Sequence, residues 1–462
     1  MLSISTLNQL PPGITSALEL INDFDQCFLA GFANLEQQQQ QTLSILQQIF
    51  QGTPLQQSLS DACTAIQANE FLERHFAVLA VVRAALHGSI FDILQQQAHS
   101  LLARNESPQM MMGDRSESVP QHLSVWLESV RHWLTEIALV GYARLESTTL
   151  VPFLATLEQI QGEPLLIRQS AILTGFFNEL MSRIPISDTN AIPLYRWVDL
   201  WTQSMIISLQ PIILPQPQTV SGTLEILGMD LRHHANLVSF TVYGLFNGNA
   251  ETRLVRVTQS AYRVDAIANE QIWLLFPEAT SLLEAYAKNQ TLHLSDLELL
   301  PTGDLIWREV GITIGKKYDL INLAGEFFGE NPTGKFVPPV IAPGDRHPVQ
   351  LAEPIFLDNY QIVAQGDQLS LKLGEVDNLA ITTDRMSPLS ELDTQAITNS
   401  SQIFGLLRFD GGSWAVQPLT VKVKGKLIFT GQNAAKIRKS PPKNSVVGTL
   451  QERASRLLRQ KS

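Results

Sequence analysis

LQPIILPQPQTVSG, residues 209–222, is where the chain changes character. Three prolines (Pro211, Pro215, Pro217) fix φ and remove backbone donors, so a helix running into this stretch must stop. Upstream, apolar residues recur at three- and four-residue spacing; downstream they alternate. The boundary predicts a multidomain α + β chain. An all-helical domain spans 1–217, an all-β region follows, and a basic tail closes the sequence.

The helical reading rests on runs such as ITSALELINDFDQCFLAGF (14–32), NEFLERHFAVLAVVRAALHGSIFDILQQQ (69–97), HLSVWLESVRHWLTEIALVGYARL (122–145) and PLYRWVDLWTQSMIISL (193–209). Breaks are expected at Gly52-Thr53-Pro54, Gly162-Glu163-Pro164 and Ile184-Pro185. The glutamine runs at 37–41 and 95–97 lie inside this periodicity and read as solvated helix faces. RNESPQMMMGDRSESVPQ (104–121) reads as a polar loop. No fixed repeat period emerges, so a closed bundle and an irregular stack of helical hairpins both fit.

The longest apolar run, FAVLAVVRAALHG (76–88), is interrupted by Arg83 and too short to span a bilayer. It reads as a buried helix. A buried Arg83 needs a counter-charge, from Glu70, Glu73 or an acid on a neighbouring helix. Cys27 and Cys63 sit in helical patterns and read as two buried thiols in a reducing cytosol. MLSISTLNQLPPG has neither a basic start nor an apolar core, so no signal peptide is expected and the location expected is cytoplasmic.

Downstream, segments such as NLVSFTVYGLF, RLVRVT, QIWLLF, TLHLSDLEL, IFGLLRF and LTVKVKGKLIF read as strands. Asp410-Gly411-Gly412 reads as a tight hairpin turn, and one short helix is expected in ATSLLEAYAKN (279–289). Strands this dense favour a sandwich or barrel. A proline-rich passage at 331–354 divides the region into 218–345 and 346–432. In LTVKVKGKLIF, alternating Lys422, Lys424 and Lys426 read as a guard against edge pairing.

Charge is uneven within a net −11. Residues 1–217 hold 19 acids against 9 arginines, and the first lysine is Lys288. The last thirty residues hold 8 bases and one acid, Glu452. A body this acidic repels nucleic acid and anionic membranes. Residues 432–448 read as a linker. Thr449 and Glu452 then form a capping box for a short amphipathic helix. Leu450, Ala454, Leu457 and Leu458 share one face of it, and Arg453, Arg456 and Arg459 lie on the other. These seven are the expected partner-binding residues. A groove on another protein, or on the chain's own acidic domain, suits them better than a membrane or nucleic acid.

The chemical motifs fail on their physical requirements. GENPTGKF (329–336) lacks the hydroxyl that a phosphate-binding loop needs after its lysine, because Phe336 stands there, and Val337-Pro338-Pro339 forbids the following helix. Glu128 with His132, and Asp230 with His233-His234, fall short of a metal-ligand set. No nucleophile or dinucleotide signature occurs, so the sequence implies no catalytic residue, cofactor, metal or small-molecule ligand. The expectation is a non-catalytic scaffold subunit docking through its tail. The alternative is an enzyme with a site in the cleft between helical and β domains.

Overall fold

The computed structural model describes residues 4–104, 121–209, 216–234, 237–248, 251–264, 267–330, 332–366, 368–373, 378–388 and 390–440. The seven expected tail residues, Leu450 to Arg459, and the methionine run lie outside them.

Among the described residues, ten helices precede the proline boundary: α1 Ile4–Asn8, α2 Ile14–Ala30, α3 Gln37–Ile49, α4 Gln56–Gln67, α5 Glu73–Leu101, α6 Gln121–Val140, α7 Ser147–Leu150, α8 Leu154–Gln161, α9 Ile167–Met181 and α10 Leu194–Leu209. Helix α5 is apolar and long enough to cross a membrane by composition. Here it is the central helix of the domain, packed against α2, α4, α6 and α10. The glutamine run at 37–41 does lie on a largely exposed face, and Glu36 and Gln39 cap α3 reciprocally, whereas in the run at 95–97 Gln95 and Gln97 are half-buried and bond Glu353 and the backbone of residues 6 and 9.

The domain is built twice, contrary to the expectation that it holds no repeat. GFANLE (31–36) and GYARLE (141–146) lie 110 residues apart, as do Gly52-Thr53-Pro54-Leu55 and Gly162-Glu163-Pro164-Leu165. Both hexapeptides begin at a helix end and turn through a short 3-10 segment. Phe32 packs edge-on against Phe76 at 5.3 Å, and its counterpart Tyr142 packs against Trp197 at 5.1 Å. Thus α2–α5 and α6–α10 are two copies of one unit. They meet at Gly31 and Gly141, which share an unusual backbone (φ 87, ψ 138 and φ 84, ψ 146). The helix expected to run through Arg144 ends at Val140 because Gly141 takes this conformation.

Past the boundary lie two sheets. The first has β1 Gln218–His234, β2 Leu237–Gly248, β3 Glu251–Tyr262, β4 Gln290–Leu299, β5 Leu305–Ile306 and β6 Ile312–Lys317, ordered β3-β2-β1-β4-β5 with β6 also on β4. The second has β7 Glu353–Asp358, β8 Gln361–Gln365, β9 Gln368–Lys372, β10 Asn378–Ile381, β11 Gln402–Asp410, β12 Ser413–Val423 and β13 Lys426–Phe429. Its order is β7-β11-β12-β10-β9-β8, and β13 shares an edge of β12 with β10. Gly411 and Gly412, both at positive φ, close the β11–β12 hairpin as expected. LTVKVKGKLIF is not one strand: Lys424 and Gly425, again at positive φ, fold it into the β12–β13 hairpin.

Among the described residues past the boundary there are also four helices: α11 Thr280–Ala287, α12 Leu320–Phe328, α13 Thr394–Thr398 and α14 Ala434–Lys439. Three expectations are corrected here. QIWLLF is a 3-10 segment, since Ile272, Trp273 and Phe276 all bury against sheet one instead of alternating. Helix α12 was not foreseen, although Asp319 caps it by accepting from Asn322 N. The expected linker begins with α14, which docks on α11, and Arg438 Nη1 donates to Trp273 O (2.8 Å) and Phe276 O (2.7 Å).

The layers follow from side-chain alternation. Ile355, Leu357, Ile403, Leu407 and Val416 face the helical domain and continue its core. Phe356, Phe404, Leu406 and Leu419, on the opposite face of sheet two, meet Leu227, Tyr243 and Leu245 of sheet one. The other face of sheet one packs on α11. The two sheets therefore pack face to face as separate sheets. Sheet two is buried on both faces, which explains why its central strands read as nearly continuous apolar runs. The bulge at Ile226/Gly228 brings β1 close to sheet two, where a Cβ on Gly228 would lie 2.7 Å from that of Leu419.

Candidate functional site

Along α5, the helical domain meets the 343–354 segment of the β region, and polar side chains converge on that seam. Arg83 is buried (2% exposed) yet ionic. Its Nε and Nη2 donate to Asp25 Oδ1 and Oδ2 of α2 at 2.7 and 2.8 Å, and its Nη1 donates to Asp199 Oδ1 of α10 at 2.5 Å. The expected ion pair exists, but its acids lie on α2 and α10, not at Glu70 or Glu73. His347, from the β region, adds a bond from Nε2 to Asp199 Oδ1 (3.3 Å), and the same nitrogen lies 3.1 Å from the Tyr195 hydroxyl. His87 stacks on His347 with ring centroids 4.0 Å apart.

Burial and charge set the protonation states. Burial pushes the Asp25 carboxyl up to about 6 against the pull of Arg83. Burial works the same way on Asp199, but the His347 hydrogen bond and the Arg83 charge outweigh it and hold that carboxyl well below its usual range. Burial, then Arg83, lowers His87 to about 2, so its ring is neutral. Among the described residues neither ring nitrogen of His87 has a hydrogen-bond partner, nor does the Thr202 hydroxyl, and all three atoms are closed to solvent.

Of these groups, Arg83, His87, Asp199, Thr202 and His347 line the floor of a pocket of about 590 Å³, and Asp25 and Tyr195 do not. Val81, Ala84, Ile172, Ile206 and Ile207 supply apolar wall. At the rim Asp92 lies 3.7 Å from Arg346, and Arg168 lies 3.9 Å from Asp345.

His87, Asp199 and His347 place three ligand atoms within 4.8 Å of one another, a spacing that invites a metal. The donors do not fit one. Val349 N donates to His347 Nδ1 (3.2 Å), so the neutral ring carries its proton on Nε2, the atom a metal would need. The two imidazoles are stacked, so their lone pairs do not converge, and Arg83 already occupies Asp199 Oδ1. The floor supports proton transfer and hydrogen bonding, with His347 between a carboxylate and a phenol.

Further along α5, Glu353 accepts from His99 Nε2 (3.0 Å), Arg104 Nη1 (2.8 Å) and Gln95 Nε2 (3.3 Å) beside a second pocket of about 350 Å³. Burial raises this carboxyl, but the His99 bond and Arg104 dominate and lower it to about 2. A group depressed in the folded state contributes stability above its unfolded value, and that stability disappears as pH falls. Between pH 5 and pH 2 the protein should lose on the order of 3 kcal/mol through this group. Urea unfolding of Glu353→Gln should show a shallower acid limb than wild type; equal limbs would refute the assignment.

The sequence motifs fall elsewhere. Gly329 ends α12, so GENPTGKF follows a helix where a phosphate loop would precede one, and Lys335 lines the smaller pocket. His132 is exposed, 3.7 Å from Glu73, in a shallow depression that Glu128 also lines. Asp230 is buried between the sheets, accepting from Gln417 Nε2 (2.8 Å) and Arg408 Nη2 (3.2 Å), while His233 contacts Arg263. Cys27 and Cys63 are buried and unlinked, and burial pushes both thiols up to about 12. Among these candidates, only Arg83 was singled out and belongs to the seam. No family model, curated protein or solved structure matches the chain.

Proposed function

We propose that the protein acts by binding a small amphipathic molecule in the cleft between its helical domain and its β region. The observation that carries this reading is the larger pocket itself, where the bonded set of Arg83, Asp199 and His347 meets an aliphatic wall. The pocket's size and apolar walls are those of a small-molecule site. The test is thermal unfolding of the full chain with octanol, octylamine, octanoate and 2-phenylethanol, alongside Ala84→Phe, which fills the wall. At least one compound should raise the midpoint of wild type and leave the variant unmoved. If none does, this reading is wrong.

A second reading, a scaffold subunit that docks through residues 450–459, draws support from α14, which roots the basic segment on the face of sheet one away from the helical domain. Affinity capture with the full chain and with residues 1–440, at low and high salt, tests it. Identical partners from both forms would rule out docking through the tail.

A further inference from the structure

We propose that the second pocket, the one beside Glu353, binds an aromatic carboxylate, with its acid head at Arg256 and Tyr243 and its ring among Phe91, Phe327 and Phe336. This pocket shares only Gln350 with the larger cleft, so the proposal stands apart from the reading of that cleft.

The first argument is charge. Arg104, Arg256 and Lys335 line the pocket against a single carboxylate, Glu353. Arg104 and Glu353 bond each other and cancel. Arg256 and Lys335 have no acid among the lining residues to offset them. Asp304, which does pair with Arg256, lies outside the lining and engages Nη2 alone (2.9 Å). Lys335 is exposed and makes no ion pair among the described residues. The pocket is thus a cationic spot in a chain of net −11, and it favours an anion.

The second argument is which donors reach the space. Tyr243 on β2 and Arg256 on β3 are cross-strand partners, so they project from the same face of sheet one. Tyr243 is 7% exposed and its hydroxyl makes no hydrogen bond among the described residues, yet that oxygen is not closed off. Arg256 Nη1 is likewise unbonded and open, whereas its Nε is closed. Both residues line the pocket, so their openings face it. A phenol O–H and a guanidinium N–H on one space suit a carboxylate, which only accepts.

The third argument is the wall. Phe91 comes from α5, Phe327 from α12 and Phe336 from the proline-rich passage. Phe327 and Phe336 are half-buried and keep ring surface open. Rings such as these receive an aromatic body in offset and edge-on contact. Hydrogen bonds Leu254 N to Val337 O (3.2 Å) and Val337 N to Thr252 O (2.8 Å) hold the passage along β3, so wall and head-group donors share one edge of the sheet. Phe336, the residue that disqualifies the phosphate-binding loop, has its place here.

Isothermal titration of the full chain with 2-naphthoate, 2-naphthylmethanol, 2-naphthylmethylamine and acetate separates these elements. Tyr243→Phe and Lys335→Gln probe the head, Ala352→Phe fills the pocket, and Ala84→Phe fills the other cleft. Naphthoate should bind about tenfold or more tighter than the alcohol or acetate, and the amine should not bind. Tyr243→Phe should weaken naphthoate by about fivefold or more and leave the alcohol unchanged. Lys335→Gln should weaken naphthoate more at low salt than at high salt. Ala352→Phe should abolish binding, and Ala84→Phe should not. If the alcohol matches naphthoate, or neither head variant changes it, the carboxylate assignment is overturned. If acetate matches naphthoate, the aromatic body is overturned. Binding that Ala84→Phe removes and Ala352→Phe spares belongs to the larger cleft and overturns the placement. If no titrant binds, the proposal falls, and the reading of the larger cleft still stands or falls on its own compounds.

Discussion

Gly141→Ala should leave little folded protein. At φ 84 and ψ 146, Gly141 occupies backbone space that residues with a Cβ scarcely enter, at a cost of about 1–3 kcal/mol. There is also no room. The added Cβ would lie 2.4 Å from Gly31 N and 2.6 Å from Ala30 C, both backbone atoms of the facing copy. Backbone cannot turn aside as a flexible side chain does, so the two copies must separate locally, adding about 1–3 kcal/mol or more. Together these approach the whole stability of many domains, about 5–15 kcal/mol. Gly31→Ala should do the same, since its Cβ would meet Leu139 O at 2.5 Å. Urea unfolding measures both variants. A midpoint within experimental error of wild type for either would mean that the two copies are not held by this contact.

The second large effect is at Arg83. Arg83→Met keeps most of the apolar length of the side chain but strips Asp25 of its bidentate partner, and removing one member of a buried pair costs about 3–5 kcal/mol. The loss should depend on pH in a definite direction. Burial already holds Asp25 at about 6 when folded, against 3.8 as the ordinary value. Without Arg83 its folded value rises further. Folded protein then binds a proton that the unfolded chain has released, so stability falls as pH rises through that window. The variant should lose more at pH 8 than at pH 5. Adding Asp25→Asn should recover part of the loss, because no buried charge is then stranded. A penalty that does not change with pH would show that Asp25 is not the group left stranded.

How much of this was legible in the sequence depends on the range of the interaction. Pro211, Pro215 and Pro217 mark a boundary because proline acts on its own backbone, and Asp410-Gly411-Gly412 marks a turn for the same local reason. Arg83 was legible only as a problem, a charge in an apolar helix. Its partners are 58 and 116 residues away; Asp25 does fall on the apolar stripe of α2 with Ile21, Phe24 and Phe28, but nothing local to either helix says that Arg83 is what it faces. His347 enters from 148 residues beyond Asp199, in a proline-rich passage that reads as a connection. The duplication was hidden because packing conserves burial more than identity. Phe28 is matched by Ala138 and Leu43 by Phe153, and outside the two hexapeptides and the Gly-x-Pro-Leu turns only scattered identities such as Leu29 with Leu139 remain.

That rewriting has a consequence for stoichiometry. The position 110 residues after Asp25 is Thr135, and matching Phe76 to Trp197 places Ser204 opposite Arg83. Both replacements are short hydroxyls, buried and without hydrogen bonds, where the first copy holds an ion pair. A protein made of two identical units would present this charged constellation twice, related by symmetry. Here one unit holds the Arg83–Asp25 pair and the other adds Asp199 and Tyr195 from its last helix. The duplicated architecture therefore carries one charged constellation among the described residues, with its ions drawn from both halves.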